Sequence, residues 1–271
     1  GGVLFYQYIL LKKQNHIATL TFNQPERLNV LGKVQDAEIA DAIQNVANDS
    51  EMRVLVITGA GRAFCAGGDF KSGNPANIAA DPSRRPAKLA QMVREYTRGI
   101  TLAIQNLEIP TIAMVNGPAA GAGFDIALAC DMRIGCENSR FKVAWTARGL
   151  TTAFGTTWLL PRLVGVGVAA ELIFTARMVE AQEALQLHIL NRLVPSKDLE
   201  RETMVFADQI AKGPPLALRQ NKINLYKGLE VDFDTALALL ASAQSQLLMS
   251  DDFVEAAHAF QEKREPVFKG Q

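Results

Sequence analysis

The stretch "IATLTF" (17–22) alternates along the chain, with Ala18, Leu20 and Phe22 on one side, and predicts a strand with one buried face. Pro25 then breaks it. Within 34–46, Ile39, Ile43 and Val46 recur at helical spacing and predict an amphipathic helix. "VLVIT" (54–58) and "TIAMV" (111–115) are apolar without alternation, the pattern of strands buried on both faces. Each runs into a stretch of small residues, "GAGRAFCAGGDF" after the first and "NGPAAGAGFD" after the second. Residues 71–87, with Gly73, Pro75, Pro82 and Pro86, read as a mobile surface loop, and 88–105 as a further amphipathic helix. After about Val194 the strand signal ends, and two or three helices are expected. One of them carries Phe253, Ala256, Ala257 and Phe260 at helical spacing.

Strands alternating with helices predict parallel β/α units, and so an α/β fold. The division expected is a core over 1–195 and a helical region over 196–271, within the range of one large domain and an appendage. Lys plus Arg equals Asp plus Glu, at 28 each, so no overall charge draws the chain to nucleic acid or to an anionic membrane. The three cysteines, Cys65, Cys130 and Cys136, are odd in number and lack ligand spacing, which favours a reduced, cytoplasmic protein. His16, His188 and His258 form no visible cluster, so no metal is expected. No apolar run approaches the roughly 18 to 20 residues of a membrane span. The N-terminal residues also lack the basic-then-apolar pattern of a secretion signal.

Candidate chemistry gathers where the two apolar strands end. Ala66-Gly67-Gly68 follows one and Gly121-Ala122-Gly123 the other. Small residues let a ligand approach the backbone, and the first N–H groups of a helix have no partner within it. Two such loops side by side can aim two donors at one oxygen, an oxyanion hole. Packing of a strand-to-helix corner explains either loop alone equally well. A dinucleotide fingerprint starts at Gly121-x-Gly123 but meets Ile126 at its third position. Asp125 falls one helical turn after Ala122, where it reads either as a proton-transfer group beside a carbonyl or as a helix-start acid holding free amides.

"GRAFCAGGDF" (61–70) and "NGPAAGAGFDIALACD" (116–131) closely resemble the two signatures of the enoyl-CoA hydratase/isomerase, or crotonase, superfamily. "QPERLNVL" (24–31), "WLLPRLVG" (158–165) and "FQEKREPVF" (260–268) resemble its other landmarks, in the expected order over essentially the whole chain. The resemblance implies a crotonase-like spiral of β-β-α units with a C-terminal helical oligomerisation region, assembled as a homotrimer or a dimer of trimers. It implies an acyl-CoA thioester as ligand, with no cofactor beyond the coenzyme A of the substrate. By position, the Gly68 and Ala122 amides would hold the thioester oxygen, and Ala66 would meet the adenine through its backbone. Phe260 and Lys263 would contact coenzyme A across a subunit boundary, and Cys65 would be an apolar filler.

The chain also departs from that pattern. Family hydratases use two glutamates; Asp125 stands at the first position and Trp145 at the second. Related isomerases, and the nucleophile of a dehalogenase in the same superfamily, place an acid where this chain has Ala153. Trp145 is expected to narrow the acyl pocket, to stack on an unsaturated or aryl group, or to be plain core. Glu95, Tyr96, Arg98, Tyr226 and His258 are weaker candidates, and Asp131 is expected to make local hydrogen bonds at its helix end. The expectation is therefore an acyl-CoA enzyme of hydratase/isomerase type with Asp125 as its acid/base. The alternatives are a specialised acyl-CoA hydrolase, decarboxylase or lyase, and a non-catalytic acyl-CoA-binding protein.

Overall fold

The computed structural model describes residues 3–69 and 86–271. Strands β1 (Val3–Phe5), β2 (Ile9–Gln14) and β3 (Ile17–Phe22) form an antiparallel meander. The tight connection from β2 to β3 puts Asn15 and His16 at φ 53° and 64°, the left-handed pair that a two-residue hairpin requires. From β3 onward the pairing is parallel, through β4 (Val54–Gly59), β5 (Thr111–Val115), β7 (Met132–Cys136) and β10 (Arg192–Val194). The seven strands run in the order β1-β2-β3-β4-β5-β7-β10. A second sheet of three short strands joins β6 (Pro118–Ala120), β8 (Arg140–Lys142) and β9 (Met178–Glu180).

The unbroken apolar runs lie in the middle of the large sheet because both of its faces are covered. On one face, Leu55 and Ile57 of β4 pack with Ile39 and Ile43 of helix α1 (Lys33–Ala47). On the other, Val54 and Val56 pack with Leu199 and Ala207. The helix predicted over 88–105 is two helices, α2 (Pro86–Gly99) and α3 (Thr101–Asn106). Ile100 between them is buried at φ −120°, ψ −80°, and Gly99 lies so close to α1 that a Cβ there would sit 3.3 Å from that of Ala40. The tertiary contact sets the break. The expected loop over 71–87 falls outside the described residues except for Pro86 and Ala87, which already belong to α2, with Pro86 at a first-turn position that suits proline.

Helices α4 (Ala122–Ala129), α5 (Thr156–Thr175) and α6 (Ala181–Gln186) complete the part of the chain that surrounds the sheets. By length and composition α5 is apolar enough to cross a membrane, contrary to the reading of the sequence. It is not one rod: Gly165 interrupts it at φ 76°, ψ 161°, and Leu159, Leu160, Ala169 and Leu172 are packed in the protein core.

The C-terminal segment forms four helices rather than two or three: α7 (Leu199–Ala211), α8 (Pro215–Gly228), α9 (Phe233–Leu247) and α10 (Asp251–Glu262). Caps divide them, since the Asp232 side chain accepts from Thr235 N and that of Ser250 from Phe253 N. Asp131 ties α8 to the sheet. It accepts from Tyr226 Oη at 2.7 Å, from Thr111 N at 2.7 Å, and pairs with Lys222 Nζ at 2.9 Å. These bonds cross the fold, so the expectation of purely local bonding was wrong for Asp131. They also give Tyr226 a structural place.

Candidate active site

The turn after β4 is held from both sides by backbone bonds. Cys65 N donates to Pro118 O at 3.1 Å and Ala120 N to Cys65 O at 3.0 Å, which joins it to β6. On its other side Leu31 N donates to Gly67 O at 2.8 Å, Ala66 N to Leu28 O at 3.0 Å and Asp69 N to Leu31 O at 2.9 Å. Asn29 stitches the base, its Nδ2 donating to Ala63 O at 2.8 Å. The segment 65–69 is thus a third strand-like layer between two others. Its Gly68 N–H makes no hydrogen bond to another described residue. Ala122 N–H, at the start of α4, makes none either, as the first amide of a helix does unless something caps it.

Two glycines allow the loops to meet. Gly67 adopts φ 92°, and a Cβ on it would lie 2.6 Å from Ala120 O and 3.5 Å from Ala122 N. A Cβ on Gly123 would lie 2.2 Å from Cys65 O. Any side chain at either position would push α4 away from the turn after β4. The expected neighbours therefore do come together: Ala66, Gly68, Ala122 and Asp125 belong to one junction. Ala66 N–H is already used by Leu28, so only its carbonyl remains for a ligand.

Asp125 is fully buried on α4. Trp145 Nε1 donates to Asp125 Oδ2 at 2.8 Å, and the Thr156 hydroxyl donates to Asp125 Oδ1. Burial pushes the Asp125 carboxyl up to about 6, and the bonds from Thr156 and Trp145 oppose that rise. Trp145 is 8% exposed and stacks on Phe154, with ring centroids 5.8 Å apart and planes 16° apart. It also lies over the Gly121 corner, where a Cβ would come within 3.9 Å of its Cε2. Of the expectations for Trp145, a place in the core fits its burial, but none of them included an N–H that holds Asp125. The sequence reading missed Thr156 altogether. A buried acid demands donors, and a hydroxyl opening the next helix was the available signal.

The remaining expected residues lie elsewhere. Phe260, on α10, is 85% exposed, and Lys263 closes that helix in the left-handed conformation at φ 54°. Cys65 is buried, and burial pushes its thiol up to about 12, the state of an inert side chain. Ala153 has no acid to offer, and its carbonyl accepts from Thr97 Oγ1 at 3.1 Å, fastening the Phe154 loop to α2.

A family model described as enoyl-CoA hydratase/isomerase matches residues 12–271. The chain belongs to the enoyl-CoA hydratase/isomerase family. It is 35% identical over 257 residues to the short-chain-enoyl-CoA hydratase of Clostridium acetobutylicum, covering 94% of this chain and 95% of the relative. It is 32% identical over 265 residues to the 1,2-epoxyphenylacetyl-CoA isomerase of Escherichia coli, covering 98% and 99%. Among solved structures, the enoyl-CoA hydratase of Bacillus anthracis superposes with a TM-score of 0.88 at 32% identity, covering 98% of this chain and 100% of that one. The α/β architecture is accordingly the crotonase-like fold, and the chain is an acyl-CoA-processing enzyme of hydratase/isomerase type.

Proposed function

We propose that the Gly68 and Ala122 N–H groups hold the thioester oxygen of an enoyl-CoA as its α-carbon loses a proton, and that Asp125 moves that proton. Two unpaired amides at one junction, beside the positive end of α4, suit an oxygen on which negative charge develops. The observation that carries the reading is the buried Asp125 carboxylate, one turn from Ala122 and held by two donors. A carboxyl near 6 is mostly ionised at neutral pH and still able to return a proton.

One carboxylate serves a double-bond shift. Asp125 removes the α-proton of a 3-enoyl thioester, the electron pair delocalises onto the held oxygen, and the same proton returns at the γ-carbon. Hydration needs a second proton handler, and Trp145 at that family position cannot be one. Trp145 stacked on Phe154 favours a second reading, a specialised hydrolase, decarboxylase or lyase acting on a bulkier acyl group. Loss of both other family acids, at Trp145 and Ala153, favours a third, acyl-CoA binding without turnover.

In the same proposal the Ala66 carbonyl meets the adenine, while Phe260 and Lys263 reach the coenzyme A of a neighbouring subunit in a homotrimer or dimer of trimers. Exposed Phe233 and Phe260 on the C-terminal helices, with Met249 in the turn between α9 and α10, support such an assembly. Coenzyme A enters as part of the substrate and no other cofactor is proposed. Three buried free thiols support a reducing, cytoplasmic setting.

The test is a paired turnover assay with 2-enoyl-CoA and 3-enoyl-CoA, comparing the wild type with Asp125→Asn. A double-bond shift that the variant loses supports the reading. Hydration lost in the same variant replaces the shift with a hydratase that uses another proton source. Binding of both thioesters without turnover overturns the catalytic reading in favour of the third.

A further inference from the structure

Helix α4 carries both the Ala122 amide and the Asp125 carboxylate, and every one of its residues is buried. Apart from Asp125 they are apolar or glycine. Contacts of that kind are not directional, so they press the helix into the core without fixing the direction of its axis. Directional bonds act at its two ends. At the front, Gly121 turns at φ 52° and its N–H donates to Lys142 O at 3.0 Å. At the rear, the last carbonyls of a helix have no partner within it, and here two side chains take them. Arg133 Nη1, from β7, donates to Cys130 O at 2.7 Å and to Ala127 O at 3.3 Å. Gln105 Nε2, from α3, donates to Ala129 O at 2.6 Å.

Arg133 is an unusual side chain to find there. It is 2% exposed, and among the described residues no carboxylate bonds to it. Asp131, two residues before it, pairs instead with Lys222 at 2.9 Å. Burying a guanidinium is costly, and an apolar side chain of similar size would fill the space without that cost. What an apolar side chain lacks is the planar fork of donors. Arg133 uses it to join separate parts of the chain: Nη1 reaches the rear of α4, and Nε donates to Ile189 O at 2.6 Å, in the segment after α6. Its backbone is fixed in turn, with Arg133 N donating to Asn191 Oδ1 at 2.8 Å and Asn191 N to Arg133 O at 2.9 Å. The rear of α4 is thus bolted to the sheet.

We infer that Arg133 is a positioning residue, which together with Gln105 fixes the axis of α4 and so the place of the Asp125 carboxylate against the thioester. This rests on the reading of Asp125 as the proton-moving group. With the rear released, the helix pivots about the bond that Gly121 makes at its front. Ala122 lies beside that pivot and stays in place, whereas Asp125 is about 4.5 Å along an axis of about 10 Å, at about 1.5 Å per residue. Trp145 and Thr156 hold the carboxylate oxygens, but the Asp125 Cα moves with the helix. A swing of about 1 Å at the rear therefore displaces it by about 0.4 Å. A misplacement of about 1 Å can cost about 10² in rate, which sets the loss expected here at about five- to tenfold.

The experiment measures the double-bond shift of a 3-enoyl-CoA by the wild type, Arg133→Lys, Gln105→Met and Asp125→Asn, with each rate divided by the thioester-binding sites counted calorimetrically. Arg133→Lys keeps the charge and loses the fork. Gln105→Met, at a half-buried position, removes one bond and decides the matter alone should the lysine variant not fold. Each is expected to lower kcat about five- to tenfold with KM within about twofold of the wild type. Loss of stability alone leaves kcat per site untouched. The infrared carbonyl stretch of bound hexanoyl-CoA, isotopically labelled at its carbonyl carbon, is expected to keep its wild-type frequency, because the Ala122 amide lies at the pivot. With Asp125→Asn inactive, three results overturn the inference and leave the Asp125 reading intact: wild-type kcat in either folded variant, a higher KM at constant kcat, or a carbonyl stretch displaced toward that of the free thioester. Full activity in Asp125→Asn, or no shift by the wild type, overturns the Asp125 reading and the inference with it.

Discussion

Trp145 donates its indole N–H to Asp125 Oδ2 at 2.8 Å, so a ring 20 residues further along the chain holds the buried carboxylate. Burial alone favours a neutral Asp125, and this bond with that of Thr156 keeps the carboxylate accessible. Trp145→Phe preserves a ring to stack on Phe154 and deletes the donor. The Asp125 carboxyl is then expected to rise by about one pH unit from its value near 6. A profile of kcat against pH is the measurement, and its acidic limb should move upward by that amount. An unmoved limb would mean that another group controls it.

Asp125→Asn is nearly isosteric and keeps an oxygen for the indole. On the proposed role of Asp125, this substitution is expected to lower kcat by about 10²–10⁴, with KM little changed. Stability should respond in the opposite sense. The folded carboxyl, near 6, stands above its unfolded value of about 3.9. Its contribution to stability is full below the unfolded value and is lost as pH rises through about 6, where the buried group must ionise. Thermal melting is therefore expected to show Asn raising Tm relative to the wild type at pH 8 more than at pH 4.

Much of this was readable in the chain because the relevant signals are local. The buried strands at 54–58 and 111–115, their glycine turns and the helical spacing of Ile39, Ile43 and Val46 all appear where expected. The break at Ile100 was not readable, because an apolar residue continues a helical pattern and only the packing of Gly99 on Ala40 interrupts it. The turn that carries Gly68 and the helix that starts at Ala122 and carries Asp125 pack on each other through Gly67 and Gly123. The donors that hold Asp125 come from 20 and 31 residues away, and no periodicity reports such contacts. Asp131 failed for the same reason: its partners Tyr226 and Lys222 come from α8.

Gly123 tests whether loop contact is what builds the site. A Cβ there would meet Cys65 O at 2.2 Å and Cys65 Cβ at 2.7 Å, both inside contact distance. Gly123→Ala must push α4 off the turn after β4, separating Gly68 from Ala122. Overpacking of this kind costs about 1–3 kcal/mol. Urea unfolding should show that loss. Activity per folded molecule should fall by at least the about 10²–10³ typical of losing one oxyanion donor. Full activity in a destabilised variant would detach the two amides from the chemistry.

The C-terminal helices offer a test away from the chemistry. Lys222 Nζ, 2.9 Å from Asp131 Oδ2, also donates to Ile109 O at 3.0 Å, and both side chains of the pair are largely shielded from solvent. Lys222→Met leaves Asp131 with Thr111, Tyr226 and the electrostatic reach of Arg133 but without its paired cation. An uncompensated buried charge of this kind costs about 3–5 kcal/mol. Tyr226→Phe removes only one hydrogen bond to that carboxylate and should cost about 1.5–3 kcal/mol. Asp131→Asn combined with Lys222→Met removes the stranded charge, so the double variant is expected to be more stable than Lys222→Met alone. A double-mutant cycle by urea unfolding measures this coupling. Simple additivity would show that Lys222 holds α8 through Ile109 O and its aliphatic stem, with the ion pair contributing nothing.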